Sequence, residues 1–166
     1  QFCGASVIVR RDVMEEVGYY QKYFNRIGSE DYDCFYRIAQ RYPVANIGEA
    51  LYFVRNQPDS VSRTIKRTGQ LYSAEIVKFL ARQRDELGSD SLSGLEPRFL
   101  QEFVASLEKP FIEDPSRIWR SSADMLSYAR LHRAAFKSAL RAFIVSPGQL
   151  INFKYLVSLF FRMFRI

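Results

Sequence analysis

Histidine is nearly absent from this chain: His132 is the single one in 166 residues. A His-metal centre or a Ser-His-Asp triad needs partners that one histidine among Arg130, Leu131 and Arg133 does not have, so His132 reads as a surface residue. Cysteine is scarce as well. Cys3 and Cys34 lack metal-ligand spacing and form no disulfide framework, which points to a reducing, cytoplasmic setting. There is no Gly-rich phosphate loop, no dinucleotide fingerprint and no repeat of fixed period. The N-terminal residues contain neither a charged n-region nor a signal-type apolar run. They begin at Gln1 and read as a strand already under way, so the chain is expected to be a piece of a longer protein.

What is present is ordinary globular composition, 48% hydrophobic and 25% charged, with 14 Phe and 10 Tyr to dominate the interior. The net charge of +6 suits an anionic partner such as a nucleotide, an acidic membrane surface or nucleic acid. Nucleic acid is set aside, because the basic residues are scattered among helices and no recognition motif accompanies them.

The densest chemistry lies in Gly28-Ser29-Glu30-Asp31-Tyr32-Asp33-Cys34-Phe35-Tyr36-Arg37. Ser29 is placed as an N-cap, and Phe35, Ile38, Ala39 and Tyr42 recur at helical spacing, so Glu30 and Asp31 fall in a first turn. Free backbone N–H groups and the helix dipole favour ionised carboxylates there. One reading has these acids merely complementing the dipole, with Asp33 and Arg37 as an i,i+4 pair. The other makes the cluster a reactive site.

In chain order, Ala5, Val7 and Val9 alternate with Ser6, Ile8 and Arg10 as a short buried strand. Asp12 and Glu15 form a capping-box pattern for a helix ended by Gly18. The helix from Ser29 is expected to stop near Arg41, ahead of Pro43. Val44 to Ile47 and Leu51 to Val54 read as two further strands. Beyond Lys66 the period is helical: one helix to Gly88, a Ser/Gly/Asp linker over 89–94, a helix over 97–107, and a long helix from Ser116 to about Val145. The last segment, 150–166, is rich in Phe and Leu and interrupted by Lys154, Arg162 and Arg165. Its uncharged run is far short of the roughly 20 residues that span a bilayer. Two placements are open, an interfacial helix in peripheral membrane contact and a helix docked on the core.

Phe2 to Arg11, Val17-Gly18-Tyr19-Tyr20, Glu30-Asp31-Tyr32-Asp33 with Arg37, Leu51 to Arg55 and Ser60-Val61-Ser62, in this order and spacing, resemble the second half of a family 2 glycosyltransferase catalytic domain. The resemblance implies an α/β fold, the C-terminal half of a GT-A domain over 1–64, followed by a mostly helical extension over 65–166 that makes the chain predominantly α. It implies a hexosyltransferase-type enzyme, inverting, that moves a sugar from a nucleotide-diphosphate sugar to a saccharide or lipid-linked acceptor in polysaccharide synthesis. Asp31 is then the general base and Glu30 lies beside the acceptor. Gly4, Arg55 and Gln57 lie on the donor side, and Asp33 and Arg37 brace the helix. Gln57 stands where many relatives carry a histidine, and for Arg55 a structural ion pair competes with a diphosphate contact. The divalent metal, Mg or Mn, has its ligands mostly outside this chain, since no Asp-x-Asp follows a strand here. The isolated chain is therefore expected to be inactive, and peripheral on the inner face of a membrane if 150–166 is interfacial. The alternative is a non-catalytic, basic helical module that binds a membrane or a protein.

Overall fold

A computed structural model describes residues 4–55, 65 and 67–164. Among the described residues seven α-helices follow one another: α1 (Arg11–Val17), α2 (Glu30–Ala39), α3 (Gly69–Leu87), α4 (Pro97–Glu113), α5 (Arg117–Tyr128), α6 (His132–Val145) and α7 (Leu150–Phe164). Among the described residues there is no β-strand, which overturns the expected α/β class and, with it, the GT-A half-domain over 1–64. Only the predominance of helix agrees with the architecture.

The physical reason is visible at the three expected strands. A strand is held by ladder hydrogen bonds to a neighbour, and alternation in one segment supplies no neighbour. Gly4–Ser6 forms a 3₁₀ turn instead, residues 7–10 run on without regular structure, and 44–47 and 51–54 are irregular. Several of their apolar side chains consequently face solvent, Ile8 and Phe53 both at 94% exposure, whereas Val7 and Val9 are partly buried.

The chain divides into two compact units, Gln1–Val54 with Tyr72–Ala105, and Arg55–Leu71 with Ser106–Ile166. In the first, α1 and α2 share an apolar cluster of Val13, Val17, Cys34, Phe35 and Ile38, with Val7, Val9, Met14 and Tyr42 packed against it. Gly18 ends α1 at φ 85°, its N–H bonded to the Met14 carbonyl. The capping box does not form, because Asp12 pairs with Arg10 and Glu15 with Arg11. Helix α3 buries Tyr72, Ile76, Val77, Leu80 and Ala81 in this unit, and Phe79 stacks on Phe103 of α4 at 4.2 Å. The stretch after α3 is an ordered turn centred on buried Asp90. Its carboxylate accepts from the Leu92 N–H and the Ser93 hydroxyl, and its carbonyl from the N–H groups of Ser93, Gly94 and Leu95.

In the second unit the expected long helix is two. The chain leaves α5 at Tyr128 and re-enters a helix at His132, with Arg130 at φ 60° between them. Helices α5, α6 and α7 bury Ala123, Leu126, Ala135, Ala139 and Leu159 together. The pairs Phe136–Phe160 and Phe143–Phe153 run in opposite chain order, so α6 and α7 are antiparallel. A polar knot closes this unit. Arg120 donates to Asp114, to the Ser116 hydroxyl at 2.7 Å and to Asn152 Oδ1 at 2.6 Å, while Asn152 Nδ2 donates to the carbonyls of Ala142 and Ser146 at 3.1 and 2.9 Å.

From Met125 to the C-terminus the sequence has no Asp or Glu, against Arg130, Arg133, Lys137, Arg141, Lys154, Arg162 and Arg165. Among the described residues no helix is long and apolar enough to cross a membrane.

Candidate functional site

The entry to α2 is a tight left-handed turn. Gly28 at φ 83° and Ser29 at φ 69° are consecutive residues of positive φ, held from behind by Gly28 N–H to the carbonyl of fully buried Phe24. Glycine accepts this geometry freely, whereas Ser29 carries strain in it. Ser29 sits at the N-cap position, but its side chain does not cap. Its carbonyl accepts the Asp33 N–H at 2.9 Å, and its hydroxyl turns to Ser73 of α3 at 2.7 Å. Two helices of the first unit are thereby joined at the point where the acidic run begins.

Glu30 projects into solvent and Asp31 is half-buried. Asp31 Oδ1 accepts the Tyr32 N–H at 2.7 Å, so the carboxylate is held against the open end of its own helix. Its other oxygen faces Gly4. A Cβ added at Gly4 would lie 2.3 Å from Asp31 Oδ2, closer than any real contact of that kind. Two residues 27 positions apart in the chain, chosen for a donor-side and a base role, are therefore brought into direct contact.

Behind them lies a buried ionic network. Asp33, with no exposed surface, accepts Arg37 Nε at 2.9 Å on Oδ2, and its Oδ1 faces Arg84 Nη1 of α3 at 3.8 Å. Arg37 also donates to the carbonyls of Val17 and Tyr19, the last turn and exit of α1. Arg84 donates to Asp90 Oδ2 at 2.5 Å and to Gln40 Oε1 at 2.8 Å. Gln40 in turn donates to the Ala81 carbonyl and to Asp85. Burial pushes the Asp33 carboxyl up from its ordinary value against the pull of Arg37 and Arg84. Burial also raises the Cys34 thiol. For Asp90 burial acts upward too, but the hydrogen bonds from Arg84, Ser93 and the Leu92 N–H outweigh it and the carboxyl is lowered.

The other expected residues are not assembled with these. Arg55 is exposed at the end of an irregular stretch and falls in the second unit, and Gln57 and Ser60-Val61-Ser62 lie outside the described residues. Among the described residues no three of His, Cys, Asp and Glu come together in a way that could hold a metal ion. The described residues do not by themselves fit the divalent cation that the resemblance implies. A cleft of about 610 Å³ opens on the α1–α2 cluster, walled by Val7, Val13, Phe35, Ile38, Tyr42 and Ile47 among others; neither Gly4 nor Asp31 lines it.

Arg84, Asp90 and Ser73 went unremarked in the sequence. Arg84 had a readable signal: it falls three and four residues after Ala81 and Leu80, on the stripe of α3 that is otherwise apolar. A charge at that register is buried and needs a partner. Which partner is a non-local fact.

No family model, no curated protein and no solved structure matches this chain. The functional reading rests on its residues and their geometry.

Proposed function

We propose that the chain carries the acceptor side of an inverting sugar transfer, in which Asp31 takes the proton of an acceptor hydroxyl. The hydroxyl oxygen attacks the anomeric carbon of a nucleotide-diphosphate sugar, and the bond from that carbon to the diphosphate oxygen breaks. The nucleoside diphosphate leaves with the bonding pair. The configuration at carbon inverts, and Asp31 is left protonated until solvent removes the proton.

The observation that carries this reading is the contact of Asp31 with Gly4. A general base must be held in place, and a glycine, having no side chain, lets the carboxylate rest where a Cβ would otherwise stand. Oδ1 is engaged by the Tyr32 N–H, which orients the group, and Oδ2 faces the bare backbone of Gly4. Glu30, exposed one residue earlier, is the group this reading assigns to the acceptor sugar's hydroxyls. Asp33 and Arg37 hold the first turn of α2 to the end of α1, so the base sits on a braced helix.

The test is Asp31→Asn in the native polypeptide, assayed for transfer with a panel of nucleotide sugars and lipid-linked or saccharide acceptors. The expected result is a loss of about 100-fold or more in turnover with the melting temperature unchanged, since the position is half-buried and its fold contact is one backbone hydrogen bond. Retained transfer in the variant would overturn the assignment of Asp31. Absence of transfer in the parent protein with every donor would leave the non-catalytic binding module in its place.

A further inference from the structure

We propose that the α6–α7 hairpin presents a docking face for an anionic lipid bilayer, independent of the chemistry assigned to Asp31. Helix α7 has two unlike sides. Asn152 and Leu159 are buried in the second unit, whereas Leu150 and Phe161 are 67% and 65% exposed, with Phe153 and Val157 also open to solvent. On α6 the same holds for Leu140 and Ile144, the latter 67% exposed. The two ring pairs Phe136–Phe160 and Phe143–Phe153 lie along the seam between the helices, at 6.1 and 6.5 Å. They join the two open apolar faces into one surface rather than two isolated stripes.

Charge selects the occupant. Arg133, Lys137 and Arg141 are exposed on α6 and Lys154 on α7, and this stretch contains no acidic residue. Aromatic and aliphatic side chains flanked by Lys and Arg are the pattern of a helix lying in the headgroup boundary, with basic groups at the phosphate level. A second copy fits less well. Self-complementary pairing would bring one basic rim against the other without a carboxylate between them. Among the described residues no helix is long and apolar enough to cross a membrane, and the proposed contact is a peripheral one.

The test is co-sedimentation of the chain with vesicles of phosphatidylcholine alone and with about 30% phosphatidylglycerol, a fraction chosen to give a surface potential of the physiological kind. Binding is expected to the anionic vesicles only and to fall at least tenfold in about 1 M salt, where the screening length is about 3 Å. Leu150→Ser with Phe161→Ser, and separately Lys137→Glu with Lys154→Glu, should each reduce binding at least tenfold without shifting the thermal melt, because all four positions are exposed. Arg98→Glu, exposed on α4, should leave binding unchanged. Equal binding to neutral vesicles, no binding at all, or full binding by the two double variants would overturn the proposal. So would a concentration-dependent dimer that Phe161→Ser dissociates, since the face would then belong to a second copy.

Discussion

Asp33 Oδ1 lies 3.8 Å from Arg84 Nη1, too far for a hydrogen bond, and neither this oxygen nor Arg84 Nη2 has a hydrogen-bond partner among the described residues. The attraction between α2 and α3 at this point is therefore coulombic, in a region where both partners are largely withdrawn from water. Buried ion pairs contribute little over an apolar replacement of both partners, but removing one leaves the other uncompensated. Asp33→Asn and Arg84→Met are each expected to lower stability by about 3 kcal/mol, read as urea midpoints. The double variant should cost less than their sum, because the two changes share one interaction. Strict additivity would show that the pair does not couple.

Gly4→Ala separates site from scaffold. The new Cβ would meet Asp31 Oδ2 at 2.3 Å, and that oxygen is the far end of a side chain that can rotate away. The fold should hold within about 0.5 kcal/mol, as exposed positions usually do. The carboxylate should not stay where it is. Transfer by the native polypeptide is expected to fall at least tenfold with an unchanged melt. Unchanged transfer would mean that the position of Asp31 Oδ2 against Gly4 has no bearing on the reaction.

The parts of this molecule that were legible in its sequence are those decided within a few residues. Gly18 and Gly88 mark the ends of α1 and α3 because a left-handed residue is a local requirement, and both have positive φ. The spacing of Phe35 and Ile38 located α2 for the same reason. Val7 and Val9 show the limit of this approach. Their alternation is that of a strand, but a strand exists only with a neighbour, and they pack instead on the α1–α2 cluster. Ser29 has the right residue type and position for a cap, yet its hydroxyl goes to Ser73, a partner that no local pattern announces. At the candidate site Asp31 and Gly4 could be named separately, but that they touch is a property of the fold. Helix α4 runs to Glu113, past the expected end at 107, and carries Pro110 inside it.

Asn152 ties three elements of the second unit together. It has no exposed surface, and its amide donates to the Ala142 and Ser146 carbonyls at the end of α6 while its oxygen accepts from Arg120 of α5. Asn152→Leu removes every one of these bonds and leaves a buried guanidinium short of an acceptor. A loss of about 2 to 3 kcal/mol is expected in chemical denaturation. Tyr155→Phe nearby, which gives up only an exposed bond to Asp124, should stay within about 0.5 kcal/mol. A small effect at Asn152 would mean that Arg120 finds a full set of partners without it.

The acid limb of stability should carry the signature of Asp114. Partial burial acts to raise this carboxyl, but the Ser116 hydroxyl and Arg120 outweigh it, and the group is lowered from 3.8 to about 2. A carboxyl lowered in the folded state stabilises fully above its unfolded value near 3.8, and that contribution disappears as the pH falls through about 2. With allowance for solvent at a side chain 21% exposed, the contribution is about 1 to 2 kcal/mol. Asp114→Asn should therefore be less stable than the parent by that amount at pH 6. The difference should narrow below pH 4 and disappear only below about pH 2, where the parent carboxyl becomes largely neutral. Asp33 works in the opposite sense, since a raised folded value makes its ionisation oppose folding as the pH climbs past the unfolded value. Its replacement by Asn would be less costly at high pH than at low on that count alone. Only the gap between parent and Asp114→Asn, followed in urea from pH 6 to 2, isolates the Arg120 knot. A gap that stayed constant across that range would show that Asp114 acts there through hydrogen bonding alone, with no contribution from its charge.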